Sequence, residues 1–194
     1  ESSTTHAVVQ FVGPGKAVFT PVNYTNLAKV GYNSNPYVFA SVRLVAMAFG
    51  GIDWYAHKRN QDGALVQLPP DHPLARLLAR PNPRQGRSSF FENISAYLDL
   101  SGNAYLEGVR PTDNSPPMEL WVHRPDRMQV LSGNFLEPIG GYQYKAGSVV
   151  RRFPAEAILH LKTFNPTNDW YGMSPFEAAA RSIDLNNEIR SWNV

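Results

Sequence analysis

Apolar residues recur at helical spacing in the first third of the chain, after a stretch of mixed polarity. The clearest apolar stripe consists of Val38, Val42, Val45 and Phe49. Ser34 or Asn35 can cap this helix, and Pro36 suits its first position because a proline nitrogen carries no hydrogen that would be left unpaired there. Gly50-Gly51 predicts the helix end, because glycine readily adopts the left-handed conformation that closes many helices. Helical order is therefore expected to begin at Asn35-Pro36.

A hairpin and a short second helix are predicted next. The hairpin strands are residues 52–59 and 64–68, with turn residues at 60–63. The short helix starts at Asp71-His72-Pro73, and Pro81-Asn82-Pro83 prevents its continuation. Its predicted buried residues are Leu74, Leu77 and Leu78.

A third helix is predicted before residue 102. Ser89 and Glu92 fit a capping box, in which each side chain bonds an unpaired N–H near the helix start. The apolar stripe of this helix consists of Phe91, Ile94 and Leu98. Gly102 follows the last apolar position and predicts the helix end.

Short apolar runs separated by turn residues predict six strands in the region that follows. The runs are residues 104–110, 118–122, 128–131, 142–145, 149–153 and 158–162. Short strands joined by tight turns pair antiparallel. The predicted fold class is therefore α+β: a mostly antiparallel sheet core, three preceding helices and a C-terminal helix.

The C-terminal helix has a clear start signal. Ser174 caps it, Pro175 takes its first position, and Glu177 completes a second capping box. Its polar stripe consists of Glu177, Arg181, Asp184, Glu188 and Ser191, and its apolar residues are Phe176, Ala179, Ile183 and Ile189. The amphipathic pattern predicts that this helix packs on another element.

Residues 1–33 lack a comparable pattern. They hold several glycines and prolines and one short apolar run, residues 7–12, so an arm or loosely packed strands are expected. The chain starts at Glu1 and stops at Val194 within a helical pattern. We therefore expect it to be a piece of a longer protein.

Composition narrows the function classes. Hydrophobic residues make up 43% of the 194 residues, which predicts a globular domain, and the absence of cysteine excludes disulfide scaffolds and thiolate metal sites. No apolar run approaches the roughly 18 residues of a membrane-spanning helix. The formal net charge of +2 comes from scattered Lys and Arg, which gives little support for a duplex-binding face.

Motifs for catalysis are incomplete. Gly13-Pro-Gly-Lys16 is similar to a phosphate-binding loop, but Gln10 and Ala17 stand where that loop needs Gly and Ser or Thr. Gly172-Met-Ser174 lacks the second glycine of a nucleophile elbow, and the helix cap is a sufficient role for Ser174. The sequence therefore predicts no catalytic residue and no cofactor site.

The histidines and carboxylates are not arranged in a metal-binding pattern. His6, His57, His72, His123 and His160 contain no pair spaced four apart, so no metal site is predicted. Asp71-His72 is interpreted as a polar helix start, and His160 as a core histidine with a bonded ring nitrogen. Acid–base catalysis by Asp113, Glu119, Asp126 or Glu156 is neither supported nor excluded.

The tryptophans allow two interpretations. Stacking on single-stranded nucleic acid is one, but we favour a core position for Trp54 and Trp121. Trp170 and Tyr171 lie in a predicted loop and are candidates for an exposed contact patch.

Eight short motifs follow one another between residues 35 and 175. They are Asn35-Pro-Tyr-Val-Phe-Ala-Ser-Val-Arg-Leu-Val45, His72-Pro-Leu-Ala-Arg-Leu-Leu78, Pro81-Asn82-Pro83, Phe90-Phe91, Gly102-Asn103-Ala104-Tyr105, Pro125-Asp126-Arg127, Ile158-Leu159-His160 and Tyr171-Gly172 with Ser174-Pro175. Each motif is weak alone. In this order they make residues 35–194 resemble the portal proteins of tailed bacteriophages of the HK97 type.

The resemblance implies a structural protein and not an enzyme. Portal proteins form a ring, commonly of twelve copies, at one capsid vertex, where double-stranded DNA passes through the channel without sequence specificity. Their partners are further copies of themselves, the terminase large subunit, the major capsid protein and the head–tail connector; no membrane is involved. The implied location is the virion, after assembly in the bacterial host cytoplasm, and an intact phage, a prophage and a gene transfer agent all stay open.

The resemblance also implies a division of the chain. Residues 1–33 are an N-terminal arm, residues 34–172 a portal wing-like α+β domain, and residues 173–194 the start of a helix that leads toward the stem. Two other classes stay open: an α+β hydrolase-like enzyme, which a pocket with convergent titratable groups would favour, and a nucleic-acid-binding module, which a contiguous basic face would favour. The residues that contact nucleic acid are unknown.

Overall fold

The computed structural model describes residues 7–11, 17–21, 24–112, 115–134 and 138–192. The helices are α1 (Tyr24–Asn26), which continues as a π-helical segment (Leu27–Tyr32), α2 (Pro36–Gly50), α3 (Pro73–Ala79), α4 (Arg87–Ser101) and α5 (Pro175–Trp192). The strands are β1 (Ala7–Phe11), β2 (Ala17–Pro21), β3 (His57–Arg59), β4 (Leu65–Gln67), β5 (Asn103–Val109), β6 (Glu119–His123), β7 (Met128–Ser132), β8 (Ile139–Ala146), β9 (Val149–Phe153) and β10 (Ile158–Lys162). All strand pairings among these residues are antiparallel, so the predicted α+β class is confirmed.

The main elements form layers. α2 packs on α4, α4 packs on the sheet β10–β5–β6, and the far side of that sheet packs on the sheet β7–β8–β9. Because side chains alternate along a strand, Ala104 and Leu106 of β5 face α4, whereas Tyr105 faces the second sheet. β5 is thus covered on both faces and lies at the centre of the fold.

Three apolar clusters hold the layers together. Phe90 and Ile94 of α4 pack against Ala104 and Leu106 of β5. The cluster between the two sheets consists of Tyr105, Met128, Val130, Tyr142, Phe153 and Ile158. The third cluster joins α2, α4, the π-helical segment and α5 through Val38, Val42, Leu100, Tyr32, Phe176 and Ile183. The prediction that the C-terminal helix packs on another element is confirmed.

Of the two predicted cap residues, Ser34 and Asn35, it is Asn35 that caps α2. Its side-chain oxygen accepts hydrogen bonds from the N–H groups of Tyr37 at 3.0 Å and Val38 at 3.3 Å. Its amide nitrogen donates to the side-chain oxygens of Asn186 and Asn187 at 3.1 and 2.9 Å. One buried asparagine therefore starts α2 and also attaches it to α5.

The buried stripe of α2 differs from the predicted one. Val38 and Val42 are buried, but Ala46 takes the next buried position, and Val45 is half exposed. The spacing of four arises because α2 lies along α4 on its i, i+4 ridge. Gly50 extends this line, and a side chain there would overlap with the Ser88 carbonyl oxygen and the Glu92 side chain.

The predicted start of α4 is wrong. The helix begins at Arg87, two residues before the expected capping box. Its cap residue is Gly86, so no side chain forms a capping hydrogen bond. The extended backbone of Gly86 lets its carbonyl oxygen accept the Phe90 N–H at 3.1 Å. Ser89 consequently lies inside the first turn.

Smaller differences concern other boundaries. Helical residues begin at Tyr24, earlier than Asn35-Pro36. Leu74 is exposed, because the short α3 buries mainly Leu77. The bounds of β9 and β10 are as predicted, whereas the other strands of the two main sheets shift or lengthen by up to three residues. In the N-terminal region β1 pairs with β2, and residues 1–6 and 12–16 lie outside the described parts of the chain.

Candidate functional site

The family-like motifs around residues 103, 160 and 172 meet at one buried junction, which is centred on Asn103. The Asn103 side-chain oxygen accepts hydrogen bonds from the Gly172 N–H at 2.7 Å and from His160 Nε2 at 2.9 Å. Its amide nitrogen donates to the carbonyl oxygens of Ser101 at 2.6 Å and Gly172 at 3.3 Å. Asn103 thereby joins the end of α4, strand β10 and the loop before α5.

Two glycines let the backbones approach closely at this junction. Gly102 has a φ of +71°, the left-handed conformation that ends α4. A side chain on Gly172 would overlap with the Gly102 carbonyl oxygen, and one on Gly102 would lie 2.5 Å from the Met173 carbonyl carbon. Both positions therefore exclude larger residues.

Hydroxyl groups close the rest of the junction. Thr163 Oγ1 donates to the Met173 carbonyl oxygen at 2.6 Å, and the Thr163 N–H donates to the Gly102 carbonyl oxygen at 2.9 Å. Ser174 is buried; its Oγ donates to the Asp99 carbonyl oxygen and accepts the Phe176 N–H at 3.1 Å. The prediction that Ser174 caps α5 is confirmed, and both bonding capacities of its hydroxyl are used for structure.

His160 belongs to the same junction. Its ring stacks on Tyr105 with the centroids 4.2 Å apart. Burial, with a smaller contribution from the charge of Lys162, lowers the pKa of His160 from 6.5 to about 4. The histidine is therefore neutral at pH 7. The predicted bonded ring nitrogen is confirmed at Nε2, but the residue is half-buried at the edge of the core.

A second polar centre lies at Glu107, on the face of β5 that meets the other sheet. Glu107 is buried, and its two oxygens lie 2.8 Å from His123 Nε2 on β6 and 2.8 Å from an Arg151 guanidinium nitrogen on β9. The Arg151 guanidinium also lies 4.5 Å from the centroid of the Phe153 ring. This network ties the two sheets together by an ion pair.

The charge of Glu107 is stabilised by its partners. Burial opposes ionisation, but the hydrogen bond from His123 and the charge of Arg151 outweigh it, so the pKa of Glu107 lies below its ordinary value of 4.5. Sequence analysis missed this residue. Its inward position could have been found from the alternation of β5, since Glu107 is two residues after Tyr105.

A shallow cleft of about 440 Å³ opens beside this network. Arg110, Arg151 and Arg152 line it, together with Glu107 and Glu156. Arg151 is paired with Glu107, and Arg152 Nε lies 3.4 Å from the Gln143 side-chain oxygen. Two carboxylates line the cleft together with the three arginines, so basic residues alone do not form its surface.

The other candidates for chemistry take part in local structure. His72 Nδ1 accepts the Leu74 N–H and so caps α3, as predicted for a polar helix start. Asp126 pairs with Arg124, and Glu119 accepts the Trp121 indole N–H at 2.8 Å. Lys16, His6 and Asp113 lie outside the described residues. Within the described ranges no three His, Asp or Glu side chains are grouped as a metal ion would need.

The tryptophans are less buried than the sequence predicts. Trp54 is 37% exposed, because it follows the end of α2 and stacks on Phe91 at the edge of the helix layer. Trp121 is half-buried and faces Arg84. Tyr171 packs inward, and its hydroxyl oxygen accepts the Val130 N–H at 2.9 Å, whereas Trp170 is exposed.

The helices formed by the described residues include none that is long and apolar enough to cross a membrane. The geometry of the two polar centres indicates sites that hold elements together. Most of their polar groups are engaged by backbone or by a partner side chain, whereas His160 Nδ1 and one carboxylate oxygen of Asp99 are buried without a hydrogen-bond partner among the described residues. The side chains of Asn103, Ser174 and Glu107 hold neighbouring elements of the fold together.

Comparison with known proteins gives a consistent result. The phage portal protein family matches residues 36–194. Two uncharacterized proteins are similar to the chain: one from Rickettsia bellii (strain RML369-C), 31% identical over 184 residues, and one from Rickettsia felis (strain ATCC VR-1525 / URRWXCal2), 28% identical over 183 residues. Each alignment covers 89% of this chain and 45% of the relative.

Solved structures of gene transfer agent particles contain a similar chain. A chain in the virion of a native particle is 36% identical, with a TM-score of 0.75, and the match covers 93% of this chain and 46% of that one. A chain in the neck of an empty particle, computed with C6 symmetry, is 36% identical with a TM-score of 0.78 and coverages of 93% and 48%. A neck computed with C12 symmetry contains a chain 35% identical, with a TM-score of 0.73 and coverages of 93% and 46%. The chain thus spans about half the length of the proteins that it matches.

Proposed function

The chain belongs to the phage portal protein family, and on that premise we propose that its protein forms the ring at the portal vertex of a phage or phage-like particle. The ring surrounds the channel through which double-stranded DNA enters and leaves the head. The observation that carries the proposal is the match to chains in gene transfer agent necks, at 36% identity and a TM-score of 0.78 over 93% of this chain.

The described side chains support a structural role. The motifs that resemble the family meet at the Asn103 junction, where their polar groups bond to one another. Such a junction fixes the loop before α5 against β5 and β10. We infer that the protein acts without catalysis of its own, and ATP or ester turnover that Lys16→Ala or Ser174→Ala abolishes would contradict this.

The proposed partners follow from the position in the particle. The ring contacts further copies of itself, the major capsid protein and the head–tail connector, and it docks the terminase large subunit during packaging. We propose assembly in the bacterial cytoplasm and a final location in the virion, with residues 34–172 as a wing-like domain, residues 1–33 as an arm and residues 173–194 as the start of a helix toward the stem.

Electron microscopy of the protein, expressed from its whole reading frame, tests the proposal. We expect closed rings of about twelve copies with a central hole, and a sedimentation coefficient that fits this mass. A folded protein that stays monomeric at micromolar concentration, and that is missing from purified particles of its source, would overturn the proposal.

A further inference from the structure

The outward side of α2 is apolar, although it faces solvent. On a helical projection it lies opposite the buried line of Val38, Val42 and Ala46. We define the outer stripe as the residues on this side: Tyr37, Ala40, Ser41, Leu44, Met47 and Ala48. All six are exposed, with Leu44 at 73%, Tyr37 at 69% and Met47 at 50%.

Charge is missing from the outer stripe. The one charged residue of α2 is Arg43, which projects beside the stripe and not on it. A surface helix of a monomer normally carries charged residues on its outward side, and a helix that is apolar all round is buried. α2 therefore has the composition of a covered helix, and α4 covers one side of it.

The exposed apolar area of the stripe is that of a functional surface. Val45 continues it on one side, whereas Phe39 projects beyond Arg43 and Trp54 stacks on Phe91 of α4, so neither is counted with it. The exposed fractions of the stripe and Val45 amount to on the order of 500 Å², at about 150–250 Å² for a whole aromatic side chain and less for the others. This equals the largest apolar patch on a typical monomer, roughly 300–600 Å² and often functional, and it is more than half of the about 800 Å² that one partner contributes to a standard interface.

We propose that the outer stripe of α2 is a subunit interface, covered by the neighbouring copy of the same protein. The inference rests on the proposed ring function. Similar chains lie in necks computed with C6 and C12 symmetry, and a closed ring of identical copies requires each copy to bury two different patches. The stripe supplies one of them, and a different surface of the next copy receives it.

A charged substitution tests the interface in the protein expressed from its whole reading frame. Leu44→Glu places a carboxylate at the centre of the stripe, where solvent exposure in the subunit keeps folding unaffected and glutamate favours a helix. The matched control is Val149→Glu on β9, which is 62% exposed and lies in the outermost layer on the other side of the fold. Sedimentation velocity then measures the concentration at which rings form.

We expect Leu44→Glu to raise that concentration at least tenfold, with an unchanged circular dichroism spectrum, while Val149→Glu assembles as the unmodified protein does. Rings that form equally well with Leu44→Glu would overturn the interface and leave the proposed function intact. An unmodified protein that forms no rings would instead overturn both.

A cysteine variant distinguishes the neighbouring copy from another part of the same chain, and it also decides the matter if Leu44→Glu misfolds. These 194 residues contain no cysteine, so Leu44→Cys introduces a single thiol in this region. We expect maleimide to react at least tenfold more slowly in rings than after dilution to subunits. A thiol that is protected equally in both states, or reactive equally in both, would overturn the proposal.

Discussion

Strand β5 carries two polar centres that differ in charge and in the exposure of their partner side chains. Asn103 and Glu107 are four residues apart and, by the alternation of the strand, face the same side. The Asn103 junction consists of neutral groups and backbone in close contact. At Glu107 a buried carboxylate meets Arg151, whose side chain is 62% exposed.

The difference determines what each centre tolerates. Neutral hydrogen bonds between closely approaching backbones depend on distance and shape. An ion pair that opens to solvent is screened, and water can replace part of it. We therefore expect the junction to be sensitive to added atoms and lost amides but not to salt, and the Glu107 network to be sensitive to salt.

The largest effect is expected for Gly172→Ala. The new methyl group would overlap with the Gly102 carbonyl oxygen and lie 2.8 Å from the Thr163 nitrogen. Both neighbours are backbone atoms that are bonded to each other, because the Thr163 N–H donates to the Gly102 carbonyl oxygen at 2.9 Å, so we expect a loss of at least about 3 kcal/mol in unfolding free energy. Urea unfolding followed by circular dichroism measures it.

Gly86→Ala is the control for this substitution. A side chain at residue 86 would meet nothing within 4 Å, and the residue has a φ of −81°. We expect a change of about 0.5 kcal/mol or less. Equal effects of the two substitutions would show that close approach at Gly172 is not what stabilises the junction.

The next effect is expected for Asn103→Ala. The substitution leaves the Gly172 N–H and His160 without their acceptor and removes both bonds that the amide donates. Unpaired buried groups cost about 1–3 kcal/mol each, partly relieved by relaxation, so we expect a loss of about 2–4 kcal/mol. Asn60→Ala removes one exposed turn bond to the Ala64 N–H and should cost below about 1 kcal/mol.

The sequence predicts the elements of both centres better than their contacts. Gly102, Ser174 and Pro175 mark helix ends by local backbone rules, and these predictions are confirmed. Local rules do not include what lies across the fold, so the three bonds of Asn103 to Gly172 and His160 are not predicted, although Gly102-Asn103 is part of a family-like motif. The resemblance to portal proteins identified Gly102 and Asn103 as motif residues, and the structure shows the contacts that explain why these residue types are needed there.

The errors have the same origin. Val45 was predicted to be buried by a helical period, but the contact with α4 selects residues spaced four apart. Trp54 was predicted to lie in the core at the centre of a strand, whereas β3 begins only at His57 and the place of Trp54 after the end of α2 leaves one side uncovered. Glu107 was overlooked because its partners come from β6 and β9, separated from it along the chain.

Mild acid should weaken the junction through His160. Its pKa is about 4 in the folded protein and ordinarily 6.5, so the unfolded chain takes up the proton first as the pH falls. Stability is therefore lost between about pH 6.5 and 4, by on the order of 2 kcal/mol after allowance for partial exposure. His160→Gln should reduce this dependence in urea unfolding at stepped pH, and an unchanged slope would contradict the assignment.

The smallest effect is expected for the pairing of Glu107 with Arg151. Arg151 is largely exposed, so a double-mutant cycle of Glu107→Gln and Arg151→Gln should give a coupling of about 1 kcal/mol or less. The coupling should shrink in 1 M salt, where charges are screened within about 3 Å. Because the pKa of Glu107 is lowered in the folded protein, its contribution is present above the ordinary value of 4.5 and disappears as the pH falls through the folded value. A double-mutant cycle on Asn103 and His160 is the control. Its coupling should be insensitive to salt, since neither group is charged at pH 7. If salt changed the Glu107–Arg151 and Asn103–His160 couplings equally, the distinction between a neutral junction and an ion-paired network on β5 would be wrong.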